Sequence, residues 1–250
     1  MLKQLCLVLM VIVLPLKATA ETVTMLANTS PPYADIRLEN QGLALEIVST
    51  LMKDAGYEAD FSIESWGRAM EGVSIGLYDA LATAWYSDER AREYIFSEPY
   101  LDSRLIILKL RDAPGTPRSL TDLQGARLGV RADFAYGIEF DSIEGLKLVE
   151  ENHMIQNLMN LLNERVDFVI GDQRTIALQL DEYLLRQRHK FQVVPIELPG
   201  RARHVAASRA VPWGDDVIKA FNAALAKAQK DGRLAAIIEK WDARYNIPTE

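Results

Sequence analysis

The chain has 250 residues, 49% of them hydrophobic and 25% charged, a globular composition that excludes a disordered or fibrous chain. A net charge of −7 disfavours nucleic acid and anionic membrane surfaces, both of which reward a basic face. A single cysteine excludes a disulfide scaffold and any multi-thiolate metal site.

Lys3 followed by the apolar run Leu5 to Leu16 and the small residues Ala18-Thr19-Ala20 reads as a secretory signal peptide, residues 1–20, cleaved after Ala20. The run is shorter than the roughly 20 residues that a spanning helix needs. Cleavage removes Lys3, Lys17 and Cys6 but no acid, so the exported chain is expected to be soluble, cysteine-free and charged −9. Thr22–Ala27 reads as a short buried strand. Leu43 to Ala55 reads as a helix, with Leu43, Ile47, Val48, Leu51 and Met52 on one face and Gly56 at its end. Tyr57–Ile63 alternates like a strand, Trp66–Ile75 suits a short helix, and Asp79–Ala84 suits another strand.

Beyond the turn-rich segment Arg111–Ser119, the pattern repeats. Strands are expected at Arg127–Val130, Leu146–Val149, Asp167–Ile170 and Phe191–Ile196. Helices are expected at Phe134–Phe140, Met154–Glu164 and Arg174–Leu185. Pro195–Arg203 reads as an exposed loop or a crossing between lobes. Two apolar stripes close the chain, Val217 to Ala228 and Leu234 to Trp241, broken at Asp231-Gly232. The alternation predicts an α/β protein with mainly parallel sheets and a helical cap at the end.

Catalytic and cofactor motifs fail on context. Gly72-Val73-Ser74-Ile75-Gly76 matches a nucleophile elbow, but a helix precedes it and a strand follows, the reverse of the order required. His153, His189 and His204 form no metal-ligand pattern, and there is no Walker loop or G-x-G-x-x-G. No catalytic residue, metal or cofactor is expected.

Four ordered stretches resemble the family-3 extracellular solute-binding proteins, the periplasmic receptors that serve polar amino acid uptake. Ser30-Pro31-Pro32-Tyr33 follows the first strand. Gly42-Leu43-Ala44-Leu45-Glu46-Ile47 is similar to the family's G-F-x-x-D-L. Tyr78-Asp79-Ala80, Ser87-Asp88-Glu89-Arg90 and Phe96-Ser97-Glu98-Pro99-Tyr100 are similar to D-A, T-x-x-R and F-S-x-P-Y. Asp231-Gly232-Arg233-Leu234 through Lys240-Trp241 is similar to the family ending.

The resemblance spans Glu21–Asn246. It implies a two-lobed periplasmic binding protein type II fold, with two crossing strands as a hinge and the ligand in the cleft between the lobes. Lobe 1 would be residues 21–101 plus 204–250, and lobe 2 residues 103–202. Hinge closure around ligand would follow.

The resemblance also implies a site. Arg90 matches the arginine that grips an α-carboxylate, a task suited to a planar guanidinium; its other reading is a surface arginine paired with Asp88 or Glu93. Arg92 has no match and is expected in solvent. Asp172 matches the aspartate that receives the α-amino group, and it also suits the N-cap of the following helix. Trp66 stands where the family places an aromatic against the ligand, or it is a core tryptophan. Trp85 replaces a small hydroxyl residue and would wall the pocket or stack on the ligand. Tyr136 lies in the segment whose free amide receives the carboxylate, and Ser30 stands in place of a first-loop aromatic.

The Asp79–Arg90 segment is one residue shorter than in the lysine/arginine/ornithine-binding type, so the side-chain pocket matches no known specificity. The expected partner is an amino acid-like small molecule. An ABC permease or a membrane sensor would dock on the receptor, with no nucleic acid and no oligomer. A dehydratase related to this family is the enzymatic alternative, and no motif supplies its general acid.

Overall fold

The structure, a computed structural model, describes residues 20–244. The expected export signal lies, Ala20 apart, outside them.

Two sheets form, each with its own apolar core. The first holds β1 (Glu21–Asn28), β2 (Tyr57–Glu64), β3 (Ala80–Trp85), β4 (Tyr94–Phe96), β5 (Leu101–Ser103) and β11 (Arg201–Ser208), in the order β2-β1-β3-β11-β4 with β5 also on β11. The second holds β6 (Leu105–Leu110), β7 (Arg127–Arg131), β8 (Lys147–Glu151), β9 (Phe168–Asp172) and β10 (Phe191–Val194), in the order β10-β6-β9-β7-β8.

Both sheets are mixed, which corrects the expectation of mainly parallel pairing. β1 runs parallel to β2 and β3, and β7 parallel to β8 and β9. β11 runs antiparallel to β3, β4 and β5, and β6 antiparallel to β9 and β10. The reason is the double crossing. The chain leaves the first sheet through β5 into β6 and returns through β10 into β11. The two crossings pair antiparallel where Arg201 faces Ser103 and Arg203 faces Leu101.

In the first lobe, α1 (Leu43–Asp54) buries the predicted stripe together with Ala44 and Leu45. It packs with α5 (Gly214–Lys230) and α6 (Arg233–Asp242) on one face of the sheet, around Phe221 and Trp241. The terminal helix pair therefore caps the first sheet. Gly56 (φ 90°) ends α1 and Gly232 (φ 81°) separates α5 from α6, both in the left-handed region that glycine adopts without strain. On the opposite face lies α2 (Trp66–Ser74) with Ala69 and Val73 inward. In the second lobe, α3 (Met154–Leu162) and α4 (Gln173–Tyr183) cover one face through Leu158, Leu161, Ile176 and Leu180.

The expected helix Phe134–Phe140 does not form. The segment is a loop with Asp133 at φ 60° and Gly137 at φ 70°, ending in a 3-10 turn at Phe140–Ser142. Its apolar residues, Phe134, Tyr136, Ile138 and Phe140, recur every second position, and all four pack into one cluster with Val130 and Ile170. That spacing cannot line one face of a helix. Arg201–Arg203, expected in a loop or a crossing between lobes, opens β11 at the return crossing.

Candidate functional site

Four strands end at the same place. Asn28 is the last residue of β1, Trp85 of β3, Arg131 of β7 and Asp172 of β9. Ligands of open α/β sheets bind beyond the carboxyl ends of strands. Here the ends of two sheets face each other across one cleft.

Arg90 lies just after β3, half-buried, in a 3-10 turn. Its Nη1 donates to the Trp85 carbonyl at 2.9 Å, and its Nη2 donates across the cleft to the Asp133 carbonyl at 2.7 Å. The guanidinium carbon sits 4.8 Å from the Trp66 ring centroid. Neither Asp88, which accepts from the Tyr86 hydroxyl, nor Glu93, which accepts from Ser74, pairs with it. Burial lowers the Arg90 pKa below the usual guanidinium value, and Arg201 nearby lowers it further. Arg92 is exposed, as expected.

Asp172 is 5% exposed and caps α4, its Oδ1 accepting from the Thr175 amide at 3.0 Å. The same oxygen accepts from the Tyr33 hydroxyl of the first lobe at 2.7 Å. Oδ2 has no partner within the protein. Burial raises the Tyr33 pKa, and the Asp172 charge raises it further, so the phenol stays a donor.

The aromatic candidates meet around Phe134. Trp85 is buried in the second lobe's cluster, edge-on to Phe134 (5.1 Å) and Tyr136 (5.9 Å). Trp66 lies 6.4 Å from Phe134. Tyr136 sits behind Trp85, and its hydroxyl accepts from the Arg131 amide at 2.9 Å. It is thus set back from the inner cavity, which Asn28, Trp66, Thr83, Trp85, Arg90 and Phe134 line with Ala135. That cavity encloses about 10 Å³, about the room of one water. Three polar atoms on its lining residues have no partner within the protein: Asn28 Nδ2, Thr83 Oγ1 and Trp85 Nε1. Orphaned buried donors and acceptors are costly, and their gathering at one cavity marks a place shaped for a polar guest.

Ser30 is buried and faces a second interlobe chamber of about 240 Å³, where its Oγ accepts from Arg131 Nη1 at 3.3 Å. Arg131 and Arg203 are cleft residues that the sequence reading did not single out. Arg131 donates to the Asn152 carbonyl (2.9 Å) and lies 4.3 Å from the Phe134 centroid. Arg203, 2% exposed on β11, stacks 3.5 Å from the Tyr33 centroid. Asn28, Thr83 and Tyr33 were also not singled out. One signal could have found Asn28 and Arg131: a polar residue that closes a short apolar run at the carboxyl end of a strand, Met25-Leu26-Ala27 and Leu128-Gly129-Val130.

The lobes are also joined at the rim. Arg174 of α4 donates to Asp242 of α6 at 2.5 and 2.8 Å, and Arg37 reaches the Tyr183 hydroxyl at 3.4 Å and Glu182 at 3.7 Å. Among the described residues, no group of three His, Cys, Asp or Glu side chains is placed to hold a metal ion, and no helix is long and apolar enough to cross a membrane.

The family model for bacterial extracellular solute-binding proteins, family 3, matches residues 23–243, nearly the whole described chain. This chain belongs to that family. The family is one of solute-binding proteins rather than enzymes. Among curated relatives, the chain is 28% identical over 222 residues to the L-cystine-binding protein TcyJ of Escherichia coli strain K12, covering 86% of this chain and 80% of that one. It is 21% identical over 226 residues to a probable histidine-binding protein of Campylobacter jejuni, covering 88% and 86%. Among solved structures, an ancestral arginine-binding protein bound to arginine superposes with a TM-score of 0.75 at 21% identity, covering 89% of this chain and 99% of that one. A histidine kinase sensor domain with similarity to periplasmic binding proteins superposes with a TM-score of 0.77 at 21% identity, covering 92% and 99%. These likenesses identify the fold as that of the type II periplasmic binding proteins.

Proposed function

We propose that this family-3 member is a periplasmic receptor that closes around an amino acid and presents it to an ABC permease. The signal peptide of residues 1–20 exports it. Residues 21–101 with 204–250 move against 103–202 about the β5–β6 and β10–β11 crossings. Arg90 takes the α-carboxylate with its two terminal nitrogens, releasing the Trp85 and Asp133 carbonyls. Asp172 takes the α-ammonium on its free Oδ2. Because Arg90 and Asp172 belong to different lobes, a zwitterion that touches both favours the closed state over the open one, which is all that closure requires.

What supports this reading is the set of unpartnered polar atoms at the cavity that Arg90 lines, together with the unpartnered Oδ2 of buried Asp172 at the end of β9. Trp66 and Trp85 wall the side-chain space, while Ser30 and Tyr136 stand at its margins. A cavity of about 10 Å³ holds no amino acid, so the lobes part for entry and close on a wider cleft.

The test is a thermal-shift screen of standard amino acids and cystine on exported chain stripped of ligand by unfolding and refolding. A ligand at a hundred times its Kd stabilises the folded state by about 2.7 kcal/mol. A hit whose methyl ester and N-acetyl derivatives give no shift supports the two-ended clamp. Equal shifts from those derivatives would sink it. The likeness to a kinase sensor domain favours one second reading, in which the same closed form docks on a separate membrane sensor instead of a permease. Pull-down of the ligand-bound protein from membranes distinguishes these partners.

A further inference from the structure

We infer that the ligand of this cleft carries a second acid group besides its α-carboxylate, and that Arg131 is the residue that takes it. The inference rests on reading the cleft as an amino acid site, and it names the class of amino acid.

Arg131 is 8% exposed at the end of β7. All its partners are neutral: the Asn152 carbonyl (2.9 and 3.2 Å), Ser30 Oγ (3.3 Å), the Thr29 carbonyl (3.4 Å) and the Phe134 ring. The bonds to Ser30 and Thr29, which cross the cleft, are the longest. A buried cation without an anion is expensive to keep.

The other charges in the cleft do not relieve it. Arg203 and Asp172 flank opposite parts of Tyr33, one over its ring and the other on its hydroxyl, so that cation and that carboxylate offset each other. Asp35, which lines the larger chamber with Arg131, is bound by Arg37 through Nε (3.1 Å) and Nη2 (2.8 Å). Arg90 and Arg131 therefore remain without an anion, as does the half-buried Arg201 beside Arg90, whose Nη2 donates to the Tyr86 carbonyl; of these three only Arg131 lines the larger chamber. A simple amino acid brings one carboxylate, which Arg90 takes.

There is also space for a second acid. The chamber of about 240 Å³ lies between the lobes against Arg131, with Ser30, Met154 and Thr175 in its wall. The first turn of α3 begins at Met154, and helix N-termini favour negative charge. A side-chain acid reaching this chamber would replace the long cross-cleft bonds of Arg131 with a charge-assisted pair.

The experiment is calorimetric titration of stripped exported chain with two sets of probes. L-glutamate and L-cystine carry two carboxylates; L-glutamine, L-histidine and L-arginine carry one. Glutarate carries two carboxylates and no ammonium. We expect a two-carboxylate amino acid to bind at least tenfold tighter than every one-carboxylate amino acid. Arg131→Gln should then cost that ligand at least tenfold and leave L-glutamine within twofold. The preference of the unmodified protein stands as a test even where the variant does not fold.

Tightest binding of L-glutamine, L-histidine or L-arginine would overturn the inference while leaving the amino acid reading intact. So would an Arg131→Gln variant that keeps the two-carboxylate preference. Binding of glutarate without binding of any amino acid would overturn the amino acid reading and, with it, the inference that rests on it. No binding of any probe overturns both.

Discussion

The pair of Arg174 and Asp242 offers a test of hinge closure in which neither residue is a proposed ligand contact. Two charge-assisted bonds of 2.5 and 2.8 Å join α4 of the second lobe to α6 of the first. The side chains are 17% and 30% exposed, between a surface pair and a buried one. Surface pairs contribute roughly 0–1 kcal/mol and hydrogen bonds to buried charges about 1.5–3. A value of about 1–2 kcal/mol for this pair follows, and it exists only while the lobes are together.

Asp242→Ala should therefore reduce the closed-to-open ratio roughly 5- to 30-fold. Where the closed form is the minor one without ligand, apparent affinity falls by the same factor, because affinity scales with the competent fraction. The assay is calorimetric titration of the wild type, Asp242→Ala, Arg174→Ala and the double variant with the tightest-binding amino acid. Arg174→Ala alone should cost more, since Nη1 also donates to the Asp102 carbonyl beside the hinge. The coupling from the cycle should be about 1–2 kcal/mol, and it should shrink as salt screens the half-exposed pair. Asp242→Ala within twofold of wild-type affinity, together with coupling below about 0.3 kcal/mol, would refute the claim that the rim pair stabilises closure.

Two further predictions concern folding stability. Burial lowers the His204 pKa, with Arg201 acting the same way, against the raising effects of the Ser97 carbonyl hydrogen bond at 2.7 Å and of Glu98. A histidine with a lowered folded pKa costs stability as pH falls from its unfolded value of about 6.5 toward its folded one, because the unfolded chain takes the proton first. Urea midpoints should thus decline between pH 7 and 5 in wild type and decline less in His204→Gln; equal slopes would contradict this. Gly42 opens α1 at φ 114°, and a Cβ there would lie 2.7 Å from the Tyr33 carbonyl carbon and 2.9 Å from the Pro32 oxygen. Gly42→Ala should destabilise by about 2–4 kcal/mol in urea unfolding, through strain and crowding under the loop that carries Tyr33. A loss below about 0.5 kcal/mol would show that this loop yields freely.

Much of the fold was legible in local pattern. The α1 stripe ended by Gly56, the α3 and α4 stripes, and the break at Gly232 all formed within a few residues of where the periodicity placed them. What failed was non-local. β6 was invisible because Leu105-Ile106-Ile107-Leu108 is buried on both faces and shows no alternation. The antiparallel path of β11 is set by the return crossing, which no local window contains. The Phe134–Phe140 loop was misread because an apolar segment after a strand invites a helix, whereas its period-two spacing feeds one cluster around Trp85.

At the site, Arg90 and Asp172 were visible only through motif resemblance; Arg90 lines the inner cavity, and Asp172 is buried at the end of β9 against Tyr33. Arg131 was missed because an arginine at a strand end looks solvated in sequence, and Arg203 because its segment reads as a loop or a crossing. Only the closing of two sheets end to end buries them.

The central claim is that one amino acid is held by a cation from one lobe and an anion from the other. The measurement that meets it most directly is calorimetric titration of Arg90→Ala and Asp172→Ala with the amino acid that binds wild type most tightly. Loss of a charge-assisted clamp of about 3 kcal/mol predicts at least a hundredfold weaker binding in each variant. Wild-type affinity in either one would contradict the account.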